Sequence, residues 1–186
     1  MKSLFIITVG ISGSGKNHLL DQLQKYFSQN LISVEPDDIR RKVLGDVNDQ
    51  SRGNEIFAIA EKEVRVALNK NKIVYFNATN LGWGRLKKSI KAYTEDKCPT
   101  LVLFMMDSAN INLCKSRVKK DIDNNVDRSK VPEDIIDNQS ERWIITHANA
   151  ILDKDIENID IIEFKGDTHN LIKQIVDITE LSWDGD

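Results

Sequence analysis

Gly10-Ile-Ser-Gly-Ser-Gly-Lys16-Asn17 stands between a run of buried-strand character, Leu4 to Val9, and a helical pattern carried by Leu19, Leu20, Leu23, Tyr26 and Phe27. Strand, glycine-rich loop, lysine and helix, in that order, is the layout of a phosphate-binding P-loop. Gly10, Gly13 and Gly15 allow the backbone to curl with its N–H groups turned inward, and the following helix adds the positive end of its dipole. Lys16 is long enough to reach the outer phosphates as a point charge. Glycine turns between a strand and a helix also occur for packing alone, but the lysine at this spacing favours phosphate. The expected ligand is a nucleoside triphosphate, held by Gly10, Ser12, Gly13, Ser14, Gly15, Lys16 and Asn17.

One position departs from the pattern. A Ser or Thr ordinarily follows the lysine and gives its hydroxyl to magnesium, whereas this chain has Asn17. An amide oxygen is still a hard, neutral ligand that Mg2+ accepts. Two readings are open: Asn17 touches the ion's shell, or it caps and packs while the metal is held elsewhere.

A chain of 186 residues suits a single domain with a real core, and the expectation is one domain over 1–186. Cys98 and Cys114 lack metal-ligand spacing and read as reduced packing residues. No apolar run is long enough to cross a bilayer, and Met-Lys-Ser runs straight into a strand, so a cytoplasmic location is expected. The net charge of −3 is unevenly spread: residues 85–130 carry 11 basic against 6 acidic side chains, and residues 131–186 carry 4 against 14. A bias of this kind usually marks a solvated face, but here the basic part includes the segment expected over the phosphates, which suits an anionic ligand.

Leu31-Ile-Ser-Val34 reads as a second strand, stopped by Glu35-Pro36 before Asp37-Asp-Ile-Arg40 opens a helix. Ends of parallel strands form the ligand crevice in open α/β sheets, which puts Asp37 beside the P-loop, with Arg40 on the same helix face. A carboxylate able to take a hydroxyl proton and a guanidinium able to hold an anion suit a kinase acceptor site. The bland alternative makes Asp37 a helix cap and Arg40 an exposed charge. After a polar connection at 45–54, a helix is expected from about Glu55 to Asn69, then a third strand from Lys72 to Phe76. In P-loop proteins a strand beside the first usually ends in an acid that holds magnesium through water; here that residue is Asn77. Thr79 and Asn80 either touch the acceptor or build the turn. A basic helix follows from about Gly84 to Tyr93, with Trp83 either a stacking surface or core packing.

Thr100 to Met106 reads as a fourth strand and leads into a helix carrying Cys114, Arg117 and Val118. Lys119 to Lys130 reads as too polar to pack. A mobile lid is therefore expected over about 115–132, closed by a helix running to about Leu152. A fifth strand, Ile159 to Phe164, and a helix from Thr168 to Leu181 complete the pattern. The expected fold is α/β: a parallel five-stranded sheet of order 2-3-1-4-5, with helices on both faces and a lid.

Over roughly residues 3–145 the chain resembles the P-loop kinase module of the phage-type polynucleotide 5′-hydroxyl kinases. The P-loop, Asp37-Asp-Ile-Arg40, Ala78-Thr-Asn80-Leu81, and Arg117 through Arg128 to Val131-Pro132 carry the resemblance. It implies ATP and Mg2+ as cofactors and the 5′ end of a nucleic acid as acceptor. It further implies Asp37 as the base on the attacking hydroxyl, Arg40 on the acceptor's 3′-phosphate, and Lys16, Arg117 and Arg128 on the donor phosphates. Some members carry a phosphatase domain, for which this length has no room. Asn17 and Asn77 depart from the hydroxyl and the acid that members place near magnesium.

Two other functions compete. One keeps the chemistry and changes the acceptor to a hydroxymethylated DNA base, a nucleotide or a small metabolite. The other is a nucleotide-binding protein with little turnover, in which the paired asparagines mark decayed catalysis.

Overall fold

In the computed structural model, which describes residues 1–95, 97–124, 126, 130–153 and 157–181, the strand–loop–helix unit at the N-terminus is the centre of the sheet. β1 (Leu4–Val9) is buried at every position, as a strand covered on both faces must be. It pairs in parallel with β3 (Ile73–Phe76) on one side and β4 (Thr100–Met105) on the other. β2 (Leu31–Val34) joins the outer edge of β3, and β5 (Ile159–Phe164) the outer edge of β4. The order is therefore β2-β3-β1-β4-β5, all parallel, as the alternation of apolar runs and amphipathic stretches predicts.

The helices among the described residues divide between the two faces, and the period-2 alternation of the strands decides which side chains meet them. Leu4, Ile6, Ile73, Tyr75, Leu101 and Leu103 pack against α1 (Lys16–Phe27) and α7 (Thr168–Thr179). Phe5, Ile7, Val9, Val74, Phe76, Val102 and Phe104 face the other way. They meet α3 (Gly53–Leu68), α4 (Trp83–Thr94), α5 (Ile111–Asp123) and α6 (Glu133–Leu152), together with Ile39 of α2 (Pro36–Leu44). Phe5, Phe76 and Tyr93 form a three-ring cluster at the middle of this second core.

Most boundaries fall within two residues of expectation, but one differs in kind. Lys119 to Asp123, expected as the start of a lid loop, continues α5. Only Cys114 and Val118 of that helix are buried, so its polarity marks a solvated face rather than irregular chain. Asn125, Asp127, Arg128 and Ser129 lie outside the described residues, and with them the middle of the expected lid and one of its two arginines. Trp83 is packed in the core, and its indole N–H donates to Asp153 Oδ2 at 2.6 Å, which is the packing alternative. Cys98 and Cys114 are both buried free thiols.

Candidate active site

The loop after β1 is shaped by contacts that leave no room for side chains. A Cβ on Gly13 would lie 2.3 Å from the backbone oxygen of Cys114, and Gly13 has φ of +82°. Gly10 is pressed against Ser14 Oγ and Met105. The sequence needs glycine at the first for both conformation and clearance, and at the second for clearance alone. Lys16 turns back over the loop: its ammonium donates to the carbonyls of Gly10 at 3.0 Å and Ile11 at 2.8 Å. Such a lysine is held in place before any phosphate arrives. Tyr75, buried beneath the loop, donates its hydroxyl to the Lys16 carbonyl at 2.8 Å, and burial pushes that phenol well above its usual range.

A second wall comes from α6, the helix expected to close the lid. Gln139 Oε1 accepts the Ser12 backbone N–H at 2.8 Å, and the buried Trp143 indole donates to the Val9 carbonyl at 3.3 Å. Ser108 Oγ accepts from the Ile11 N–H at 3.2 Å. Arg117 on α5 donates to the Gly13 carbonyl at 3.2 Å and to Asp107 Oδ2 at 2.7 Å. The donor loop is thus gripped from α5 and α6 as well as by its own glycines. Neither Gln139 nor Ser108 was foreseen, because each reaches the loop from more than ninety positions away in sequence; Asp107, also not foreseen, meets the loop only through Arg117.

The ends of β2 and β3 supply the facing wall. Asp37 and Asp38 lie in the first turn of α2, where the helix dipole favours negative charge. The N-cap is Glu35, which makes no side-chain cap bond, so Asp37 is not the cap that the bland alternative requires. Arg40 is only 4% exposed and pairs with Asp37, which is itself half exposed. The Arg40 Nε is a buried donor with no hydrogen-bond partner among the described residues. A surface charge would show neither feature.

Asn77 sits at the end of β3 as expected, and its amide bridges two other residues. Nδ2 donates to Asn17 Oδ1 at 3.0 Å and to Glu35 Oε2 at 2.9 Å. Burial, and next the nearby Asp38, push the Glu35 carboxyl above the usual carboxylate range. Glu35 was read from sequence only as the end of a strand. Its place at the carboxyl end of a parallel strand was the signal that could have singled it out. Of the two turn residues, Thr79 lines the cleft and accepts the Gly10 N–H at 3.1 Å through its carbonyl. Asn80 has φ of +52° and donates its amide to the Thr8 carbonyl at 2.8 Å, tying the turn to β1.

These walls enclose one cleft of about 1210 Å³, large enough for a nucleotide and a second reactant together. Ser12 to Asn17, Glu35, Asp37, Arg40, Asn77, Thr79, Arg117 and Lys130 all line it. The basic residues of α4 do not, so among the described residues of the positive middle segment it is Arg117 and Lys130 that line the cleft. Among the described residues no group of three or more His, Cys, Asp or Glu could hold a metal by itself. The oxygens of Asn17 and Glu35 are nevertheless the hard donors that Mg2+ takes, and a kinase metal draws most of its ligands from nucleotide phosphates. The donor set fits that ion.

Among solved structures, a chain of the Pnkp1/Rnl/Hen1 RNA repair complex is similar over 80% of this protein, with a TM-score of 0.69 and 19% identity. The match covers 46% of that longer chain, so this protein corresponds to less than half of it. Kti12 of Chaetomium thermophilum in complex with ADP-AlF3 is similar over 94% of this protein and 98% of its own length, with a TM-score of 0.58 and 15% identity. A gluconokinase from Sinorhizobium meliloti 1021 gives 94% and 90% coverage, a TM-score of 0.51 and 13% identity. At these identities the likeness is one of fold. No curated protein matches the sequence. No helix among the described residues is long and apolar enough to cross a membrane. Residues 5–143 match the model of the AAA domain family, and with a P-loop kinase-type fold over that span the chain belongs to it.

Proposed function

We propose that this protein is an ATP-dependent kinase that transfers the γ-phosphate to the 5′-hydroxyl end of DNA or RNA. One observation carries the reading: a carboxylate, Asp37, ion-paired to a buried arginine, lies across a single cleft from a lysine-bearing P-loop. Reaction requires the acceptor hydroxyl, the phosphoryl group and a proton acceptor in one line.

In this reading the P-loop N–H groups, Lys16 and Arg117 hold the donor phosphates, and Arg128 joins them from beyond the described residues. The acceptor hydroxyl hydrogen-bonds to Asp37. Its oxygen attacks the γ-phosphorus, the bond to the β-phosphate oxygen breaks, and ADP leaves while Asp37 takes the proton. Arg40 keeps the carboxylate aimed and turns part of its donor fork to a phosphate beside the hydroxyl; its place in the cleft lining supports that role. Thr79 and Asn80 shape the floor on which the acceptor rests. Asn17 and Asn77 would hold magnesium, which would supply charge neutralisation for the transferring group.

Transfer of labelled phosphate from ATP, screened over 5′-hydroxyl oligonucleotides, DNA with hydroxymethylated bases, nucleosides and sugars, tests the acceptor. The reading expects label on the oligonucleotide 5′ end. Label on a base hydroxyl or a small metabolite instead would keep the kinase and replace its substrate. Nucleotide binding with no transfer to any acceptor would leave a binding protein.

A further inference from the structure

The asparagines that replace the hydroxyl and the acid leave the metal corner without negative charge of its own, unless the third member of its hydrogen-bonded chain provides it. Asn77 Nδ2 is shared by two oxygens, Asn17 Oδ1 at 3.0 Å and Glu35 Oε2 at 2.9 Å. Those oxygens are therefore no farther apart than two hydrogen bonds. One belongs to the first turn of α1, directly after the phosphate-binding lysine, and the other to the end of β2. All three residues line the donor cleft. A divalent ion bridging nucleotide phosphates at the start of α1 would meet the same oxygens that the amide now holds.

We propose that Glu35 is the magnesium carboxylate of this protein, supplied from the end of β2 in place of an acid at the end of β3, with Asn77 positioning it against Asn17. This rests on the reading of the loop as a nucleotide site. Asp37 and Asp38 are nearby carboxylates with other partners: they pair with Arg40 and Arg41. Glu35 has no ion pair of that kind among the described residues; it is held by neutral groups, the Asn77 amide and the Ser33 side chain. A carboxylate held by an amide keeps its charge for a cation, whereas one held by a guanidinium is already neutralised.

The test uses the full chain and Mn2+ as the probe, followed by its electron paramagnetic resonance signal in the presence of saturating ADP. Affinity for ADP itself is measured separately in EDTA. Glu35→Gln keeps the size and an oxygen for Asn77 and removes the charge. It should weaken Mn2+ binding to the protein–ADP complex by about tenfold or more, while ADP affinity in EDTA stays unchanged. The double variant Glu35→Gln/Asn77→Asp returns a carboxylate to the next strand and should recover Mn2+ affinity. Undiminished Mn2+ binding by Glu35→Gln with intact ADP binding would overturn the assignment and leave the nucleotide site standing. Failure of the wild-type protein to bind ADP would overturn the nucleotide site itself, and the assignment with it. If Glu35→Gln does not fold, Glu35→Ala decides by the same two readings: weaker Mn2+ binding with ADP affinity in EDTA unchanged supports the assignment, and undiminished Mn2+ binding overturns it.

Discussion

Arg40 spends most of its side chain inside the protein, and the only ion pair it makes among those described is with Asp37. An arginine so placed has two jobs that substitution can separate. Arg40→Lys keeps a positive charge for Asp37 but loses the planar fork that binds a phosphate through two parallel hydrogen bonds. The Michaelis constant for acceptors with a phosphate beside the hydroxyl should rise about tenfold, the equivalent of one charge-assisted hydrogen bond. Acceptors without that phosphate should be nearly unaffected, and steady-state kinetics on a matched pair of substrates checks it. At this scale the sequence was informative where spacing along one helix was enough, as for Asp37 and Arg40. It was uninformative for Glu35, whose partner Asn77 is brought to it only by the pairing of β2 with β3.

The P-loop as an element depends on a close approach to α5 that no local pattern announces. Gly13→Ala would set a methyl group 2.3 Å from the Cys114 carbonyl and force a residue with a Cβ to adopt φ of +82°. The strain of such a backbone is about 1–3 kcal/mol before the clash is counted, so the urea midpoint should fall clearly. Gly45→Ala is the control: it shares the positive φ, at +78°, but nothing lies within 4 Å of its added Cβ. Equal losses in the two variants would mean that contact with α5 is not what holds the loop. The same helix shows where composition misleads. The lysines and aspartates after Val118 read as loop because they are polar, yet two buried residues one turn apart suffice to keep a solvated helix seated.

For the whole molecule, the order of the sheet was legible because each strand is an apolar run, each crossover is helical and right-handed connection leaves few topologies. The core on one face of it also fixes a response to alkali. Burial pushes the Cys98 thiol from its ordinary 9.0 up to about 11, and the Tyr93 phenol from 10.0 up to about 12. Both groups are easier to ionise in the unfolded chain. Their contribution to stability is therefore complete below about pH 9 and is lost as pH rises through 11 and 12. The melting temperature should hold steady from pH 7.5 to 8.5 and fall between pH 9 and 11, less steeply for Cys98→Ala. A slope unchanged by that substitution would show the thiol to be no part of it.

In the proposed function, Asp37 is the base on an acceptor hydroxyl activated across the cleft from Lys16. The most direct measurement is the single-turnover rate of phosphate transfer from ATP to a 5′-hydroxyl oligonucleotide by Asp37→Asn, with ATP affinity measured on the same preparation. The amide keeps the shape and can still meet Arg40, but it cannot accept a proton. The rate should fall by about a hundredfold or more with ATP affinity near that of the wild type, while Lys16→Ala should lose both transfer and ATP affinity. Near-normal transfer by Asp37→Asn would contradict the claim and move the base to another carboxylate, Asp38 first.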